Sequence, residues 1–394
     1  MEQAPLASDG DALERAQALA PLVASCADRI EAERRLPPVL LEALFDAGFF
    51  RLLLPRPYGG LELDPMTFTT IIETIAKEDA STAWCLGQAA GCTMFAAYLT
   101  PDAAMEVFGR DPKAVLAWGP GPARAVVAPG GFRVTGNWSF ASGGRHATWL
   151  GAHCPVFEAG GTPWLAADGS PVLRTVVFPA ASAEMTDIWD VIGLKGTASD
   201  AYAVRDLFVP DRFAAPRDDQ SARIYQGPLY AFQTTNLYAA GFAGVALGIA
   251  RKTLDGFIQL TKQKTPRGLK GALRENAVVQ SQVAQSEARL SAARLFLMMT
   301  LDEIWRDVVR VNSVTLDQRL RIRLASTYAI TEATSVVDTV YHAAGASAIF
   351  ASSVFERRFR DIHTVSQQVQ GRAAHFETVG RCLLGLEPDT TMFL

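Results

Sequence analysis

From about Asp11 to Asp111 apolar residues recur at helical spacing, beginning with Leu13, Ala16, Leu19, Ala20 and Val23 on one stripe. Pro37 and Pro38 open a second helix carrying Val39, Leu40, Leu44 and Phe45, and Gly48 supplies its stop. The Pro- and Gly-rich stretch 54–60 breaks the pattern. Phe68, Ile71, Ile72 and Ile75 mark a third helix, and Asp79-Ala80-Ser81-Thr82 begins a fourth that is rich in small residues through Gly91. From about Val115 to Val209 the period falls to two, as in Phe132 to Gly136, with short β-branched or aromatic runs at Thr175 to Phe178 and Tyr202 to Val204 and turns at 119–122 and 129–131. From about Tyr225 to Leu386 long helices return. Leu237 to Ala250 carries no charge, which predicts burial on most sides. Asn276 to Val311 and Asp317 to Gly345 are two further helices, and Val379 to Leu386 closes the set. This order predicts a mostly α chain with a central β-domain: an N-terminal helical domain (1–114), a β-barrel or sandwich domain (115–215) and a C-terminal four-helix bundle (216–394).

Composition narrows the function. The net charge of −4 is spread along the chain, with no basic block to track phosphates, so no nucleic-acid partner is expected. No uncharged apolar stretch is long enough for a bilayer, and Glu2, Asp9 and Asp11 stand where a signal peptide would be basic, so no membrane partner and a cytoplasmic location are expected. Cys26, Cys85, Cys92, Cys154 and Cys382 form no CxxC pair and read as mostly buried thiols. His146, His153, His342, His363 and His375 show no metal-ligand spacing, so no metal is expected. There is no P-loop, no G-x-G-x-x-G between strand and helix, and no G-x-S-x-G elbow. With no local catalytic constellation, the chemistry is expected from a bound organic cofactor.

The segment Gly136-Asn137-Trp138-Ser139-Phe140-Ala141-Ser142-Gly143 resembles the G-x-W-x-x-x-S-G segment of the acyl-CoA dehydrogenase superfamily, closest to its branch of two-component flavin monooxygenases. Pro55 to Leu61, Asp79 to Trp84, Trp189 to Ser199, Phe208-Val209-Pro210 and Arg358 to His363 are similar to further family segments, in the family's order along the chain. The resemblance implies the acyl-CoA dehydrogenase-like fold and a flavin, FMN or FAD, supplied reduced by a separate flavin reductase, in a homotetramer. It implies that Ser142 meets flavin N5 and O4, that Trp118 and Trp189 flank the flavin, and that Thr197 and Ser199 bond it. Arg267 and Arg360 are the candidates for phosphate charge, if need be across a subunit boundary. Trp138 is read as core.

The chain also departs from its relatives. The two places where a dehydrogenase carries its glutamate base fall at Val369 and early in the helix near Leu237, and no glutamate occurs between Glu184 and Glu275. A monooxygenase often has histidine at the position held here by Gln368, and a second one within Gln88 to Tyr98, where there is none. Gln368 can hydrogen-bond a substrate oxygen but is no base. His363 and His375 are the possible substitutes. Gln368, His363 and Ser142 are the catalytic candidates, and Phe95, Tyr98 and Phe232 the expected apolar lining. The leading expectation is a monooxygenase or hydroxylase using reduced flavin and O2 on a small aromatic or alicyclic substrate. Two alternatives stay open: an FAD enzyme of acyl-CoA dehydrogenase type acting on an acyl thioester, with Glu377 as base, and an inactive binding protein on the same scaffold.

Overall fold

The computed structural model describes residues 9–268 and 270–390; Glu2, used above to read the N-terminus, lies outside them. The N-terminal helices are α1 (Asp9–Glu33), α2 (Pro38–Asp46), α3 (Pro65–Ala76), α4 (Ala80–Thr93) and the short α5 (Pro101–Ala104). Their starts follow from local chemistry. Asp64 accepts from the amides of Met66 and Thr67 with Pro65 in the first turn, and Asp79 accepts from the Thr82 amide and hydroxyl. Gly48 ends the turn after α2 with a φ of +74°, as its position implies.

Eight strands follow: β1 (Leu116–Trp118), β2 (Ala123–Ala128), β3 (Gly131–Ala141), β4 (Trp149–Phe157), β5 (Leu173–Pro179), β6 (Glu184–Thr186), β7 (Asp200–Pro210) and β8 (Ala214–Ala215). They form one sheet in the order β6-β7-β3-β2-β4-β5-β8, with β1 added on β4. Along β3, Phe132, Val134 and Trp138 are buried, and Trp138 stacks on Tyr202 of β7 at 5.1 Å. This tryptophan is core, as expected.

The C-terminal helices are α6 (Thr234–Gln263), α7 (Ala277–Val311), α8 (Leu316–Ala344), α9 (Val354–Gln367) and α10 (Ala374–Leu383). Every residue from Leu237 to Ala250 is buried, because α6 is the central rod packed by α3, α4, α7, α8 and α9. The first charged residue beyond it, Arg251, pairs with Asp255 and Glu287. The last helix starts and ends earlier than its apolar pattern suggested. His375 is already helical, and the chain leaves the helix before Gly385, whose φ is +77°. Among the described residues no helix is long and apolar enough to cross a membrane, and no group of three or more His, Cys, Asp or Glu is placed to hold a metal ion. Four of the cysteines are buried and Cys382 is partly so.

Candidate functional site

Where β3 ends, the chain turns through Ser142 and Gly143 against the loop that enters β7. Ser142 Oγ lies 2.7 Å from Ser199 Oγ, and Ser199 Oγ lies 2.8 Å from Thr197 Oγ1. All three side chains are buried. A hydroxyl both donates and accepts, so this row of three can reverse its direction to suit a ligand edge. The Gly143 amide donates to the Thr197 carbonyl at 2.8 Å, which fastens the two segments together.

The Thr197 end of the row is held by a single peptide. Leu194 sits at a φ of +51°, a left-handed conformation that a leucine adopts only under constraint. Its carbonyl accepts from Trp189 Nε1 at 3.0 Å, from Thr197 Oγ1 at 2.9 Å and from the Thr197 amide at 3.1 Å. Its own amide donates to Asp361 Oδ1 on α9 at 2.7 Å. Burial raises the Asp361 carboxyl to about 7, against the pull of the Leu194 amide and with a further push from Asp79 and Glu31.

Above the hydroxyls lies an aromatic row. Trp84 Nε1 of α4 donates to Ser142 Oγ at 3.0 Å, and its ring stacks on Phe242 of α6 at 3.9 Å. Phe242 is parallel to Tyr238 at 5.6 Å. The close approach of α4 and α6 depends on Gly91, where an added Cβ would stand 2.2 Å from the Tyr238 ring. Tyr238 Oη meets Cys92 Sγ at 3.3 Å and Gln88 Nε2 at 3.2 Å. Gln88 and Cys92 thus occupy the stretch in which no histidine was found. One turn earlier on the same face of α6, the buried Thr235 hydroxyl has no partner among the described residues, nor has the Asn236 amide nitrogen beside it. Buried polar atoms of this kind are expected to meet a ligand or water. A planar heterocycle with acceptors and donors along one edge fits these features: a hydroxyl row, a flat apolar cover and unpartnered polar atoms at the start of α6.

The remaining sequence candidates divide. Trp189 is buried, edge-on to Phe140 at 6.0 Å, and joined to the hydroxyl row through Leu194. Trp118 is buried on β1 and linked to α4 by the bond from Gln88 Nε2 to its carbonyl. Arg360 has its guanidinium engaged by Glu356, by Glu31 at 2.8 Å and by the Ile192 carbonyl, so it anchors the loop before Leu194. Arg267 is exposed in the turn after α6. It is separated from Tyr238 by almost the whole helix, about 40 Å at 1.5 Å per residue.

His363 points away from this centre. Its Nε2 pairs with Asp338 of α8 at 2.8 Å, whereas Asp361, two residues earlier and on the opposite side of α9, faces the Leu194 loop. Gln368 uses its Oε1 to cap the next turn, accepting from the Gln370 amide at 2.6 Å. His375 meets the Val369 carbonyl at 2.7 Å, and Glu377 is exposed. Phe95 joins Trp118 edge-on at 6.4 Å. Phe232 instead stacks on Trp305 of α7. The sequence reading passed over Asp361 as a support, although it stood in the quoted Arg358 to His363 segment, and passed over Tyr238, which nothing in its helix distinguished from core.

Comparison with known proteins agrees with this picture. A family model described as the acyl-CoA dehydrogenase N-terminal domain matches residues 15–106, and one described as the acyl-CoA dehydrogenase C-terminal domain matches residues 240–370. The chain is 28% identical over 368 residues to indole-3-acetate monooxygenase of Acinetobacter baumannii, covering 92% of this chain and 91% of that protein. It is 26% identical over 360 residues to the oxygenase subunit HsaA of a flavin-dependent monooxygenase from Rhodococcus jostii, covering 89% and 92%. The crystal structure of 3-HSA hydroxylase from Rhodococcus sp. RHA1 superimposes with a TM-score of 0.88 at 25% identity, over 97% of this chain and 99% of that one.

Proposed function

Because this chain belongs to the acyl-CoA dehydrogenase family, we propose that it is the oxygenase component of a two-component flavin-dependent monooxygenase that hydroxylates a small aromatic or alicyclic substrate. The observation that carries the reading is the buried row Ser142-Ser199-Thr197 under the Trp84 ring, in a chain with no carboxylate at Val369 and none in the first turns of α6. A dehydrogenation needs a carboxylate to take the substrate proton. Glu377, the one alternative base, is exposed on α10.

In this reading the hydroxyls of Ser142, Thr197 and Ser199 would hold the polar edge of the flavin, and Trp189 and Trp118 would border it. Reduced flavin, FMN or FAD, supplies the electrons that activate O2, of which one atom enters the substrate and the other leaves as water. The residues of this chain bind, orient and keep the site dry. Trp84, Phe242 and Tyr238 are buried side chains that exclude bulk water from the hydroxyl row. Gln368, at the end of α9, remains a proposed contributor. His363 would contribute only if α9 turned or shifted toward the row, since Asp338 holds it on the other face. A separate reductase delivers the reduced flavin, the protein works as a homotetramer in the cytoplasm, and Arg267, so remote from Tyr238, would serve a flavin phosphate in a neighbouring copy.

The test is anaerobic titration with reduced and oxidised FMN and FAD, then reaction of the reduced complex with isotopically labelled O2 and a panel of phenols and indoles. Tighter binding of reduced flavin, with label in the product, is the expected result. Tight oxidised FAD that an acyl thioester bleaches, or no flavin binding in either redox state, overturns it.

A further inference from the structure

Two arginines that the flavin reading does not use lie beside its lining: Arg217 over Trp118 and within electrostatic reach of Cys92 and Tyr238, and Arg223 near Tyr98. The residue after Trp118, Gly119, packs so tightly on β3 that an added Cβ would stand 1.7 Å from the Ser139 carbonyl, which sets Trp118 beside the backbone leading to Ser142. On its other side the guanidinium of Arg217 lies over the Trp118 ring, 5.1 Å from the centroid, a cation–π placement. The Arg217 side chain is only 20% exposed. Its charge reaches inward, adding to burial in keeping His153 neutral. Among the described residues the carboxylate that pairs with it is Asp218 at 3.2 Å, whose other oxygen is engaged by the Thr234 amide and hydroxyl at the start of α6. Asp219, the next acid, caps the Ser221 turn.

Arg223 is the second, independent observation. It is 8% exposed, and one of its nitrogens, Nη2, donates to Gln226 Oε1 at 3.0 Å and Asn312 Oδ1 at 3.2 Å. Its Nε and Nη1 are buried without a partner among the described residues. Among the described residues no carboxylate is bonded to it, and its titratable neighbour is the neutral phenol of Tyr98. Tyr98 is itself buried and accepts from Gln220 at 3.2 Å. A buried guanidinium with two idle donors is costly unless an anion or water completes it.

We propose that Arg217, backed by Arg223 and Tyr98, receives the carboxylate of the substrate, and that the substrate is therefore an aryl carboxylic acid whose ring lies on the Trp118 side toward Ser142. This rests on the monooxygenase reading. The chemistry is selective: a guanidinium fork matches a carboxylate with two parallel bonds, while the surrounding rings of Phe95, Trp118 and Tyr98 accept only a flat apolar body. A neutral ester of the same acid would leave the idle donors of Arg223 unanswered and give Arg217 no charged partner beyond Asp218.

The experiment uses the full chain with reduced flavin under anaerobic conditions, titrated with 4-hydroxyphenylacetate and indole-3-acetate and with their methyl esters. The acids should bind at least about tenfold tighter than the esters. Arg217→Met should weaken the acids by about tenfold to a hundredfold, the range expected for a lost charged hydrogen-bond partner. It should change the esters by less than about threefold, leave reduced-flavin affinity as it was, and be partly rescued in Arg217→Lys. Equal binding of acid and ester, equal weakening of both by Arg217→Met, or binding of neither at millimolar concentration would overturn the proposal. None of these bears on the monooxygenase reading, which falls instead if the wild type fails to hold reduced flavin or puts no labelled oxygen into any phenol or indole.

Discussion

The amide of Leu194 donates to Asp361 Oδ1 across 2.7 Å, and this one bond joins a left-handed loop residue to helix α9. Together with the Arg360 bond to the Ile192 carbonyl, it positions what the Leu194 carbonyl holds, the Trp189 indole and both donors of Thr197.

The first prediction concerns the charge on Asp361. Its carboxyl titrates at about 7 in the folded protein against an ordinary value of 3.8, chiefly because of burial. The group binds its proton more tightly folded than unfolded, so its contribution to stability is complete below the unfolded value and is lost as pH rises toward 7. By linkage the loss is at most about 4 kcal/mol. Asp361→Asn keeps an oxygen for the Leu194 amide without the charge. Chemical denaturation should find it as stable as the wild type or more so at about pH 8, with a flatter profile between about pH 4 and pH 7. Asp361→Ala strands a buried amide and should be about 1–3 kcal/mol less stable than Asp361→Asn at any pH. If Asn and Ala variants fall equally at high pH, the charge is needed and the prediction fails.

Ser142→Ala removes the centre of the hydroxyl row and the acceptor of Trp84 Nε1. Affinity for reduced flavin should drop by about tenfold, one hydrogen bond's worth, with the fold intact by circular dichroism. An unchanged dissociation constant would remove Ser142 from the flavin contact.

Gly91→Ala places a methyl carbon 2.2 Å from a ring carbon of Tyr238. Since α4 and α6 must then part, the variant should lose about 1–3 kcal/mol and melt several degrees lower. A neutral effect would mean that Tyr238 can swing aside freely.

His363→Gln removes the imidazole contact with Asp338, in which both side chains are about one-third exposed. Such a contact contributes about 0–1 kcal/mol, so stability should hardly change. The rate of oxygen insertion should stay within about threefold. A loss of several orders of magnitude would show that α9 rearranges to bring His363 to the substrate.

Much of this molecule was legible in its residues, because the signals concerned are local. The helix start at Asp79 follows from a side chain that reaches the Thr82 amide. The uncharged run Leu237 to Ala250 could only be an interior helix, and the family segments mark the turn at Ser142 and the loop at Trp189. What tertiary structure alone decided was direction and pairing between elements distant in the chain. The α9 candidates were one short segment on paper, yet helical rotation sends Asp361 to Leu194 and His363 to Asp338, and the end of the helix turns Gln368 back on its own cap. Arg217 and Arg223 stand in no motif of the sequence; packing lays one over Trp118 and buries the other with no carboxylate bonded to it among the described residues. A sequence states which groups a chain owns and how its neighbours in line will fold; which of them meet in a dry place depends on the packing angles of helices and sheet, and those are settled only when all the elements close on one another.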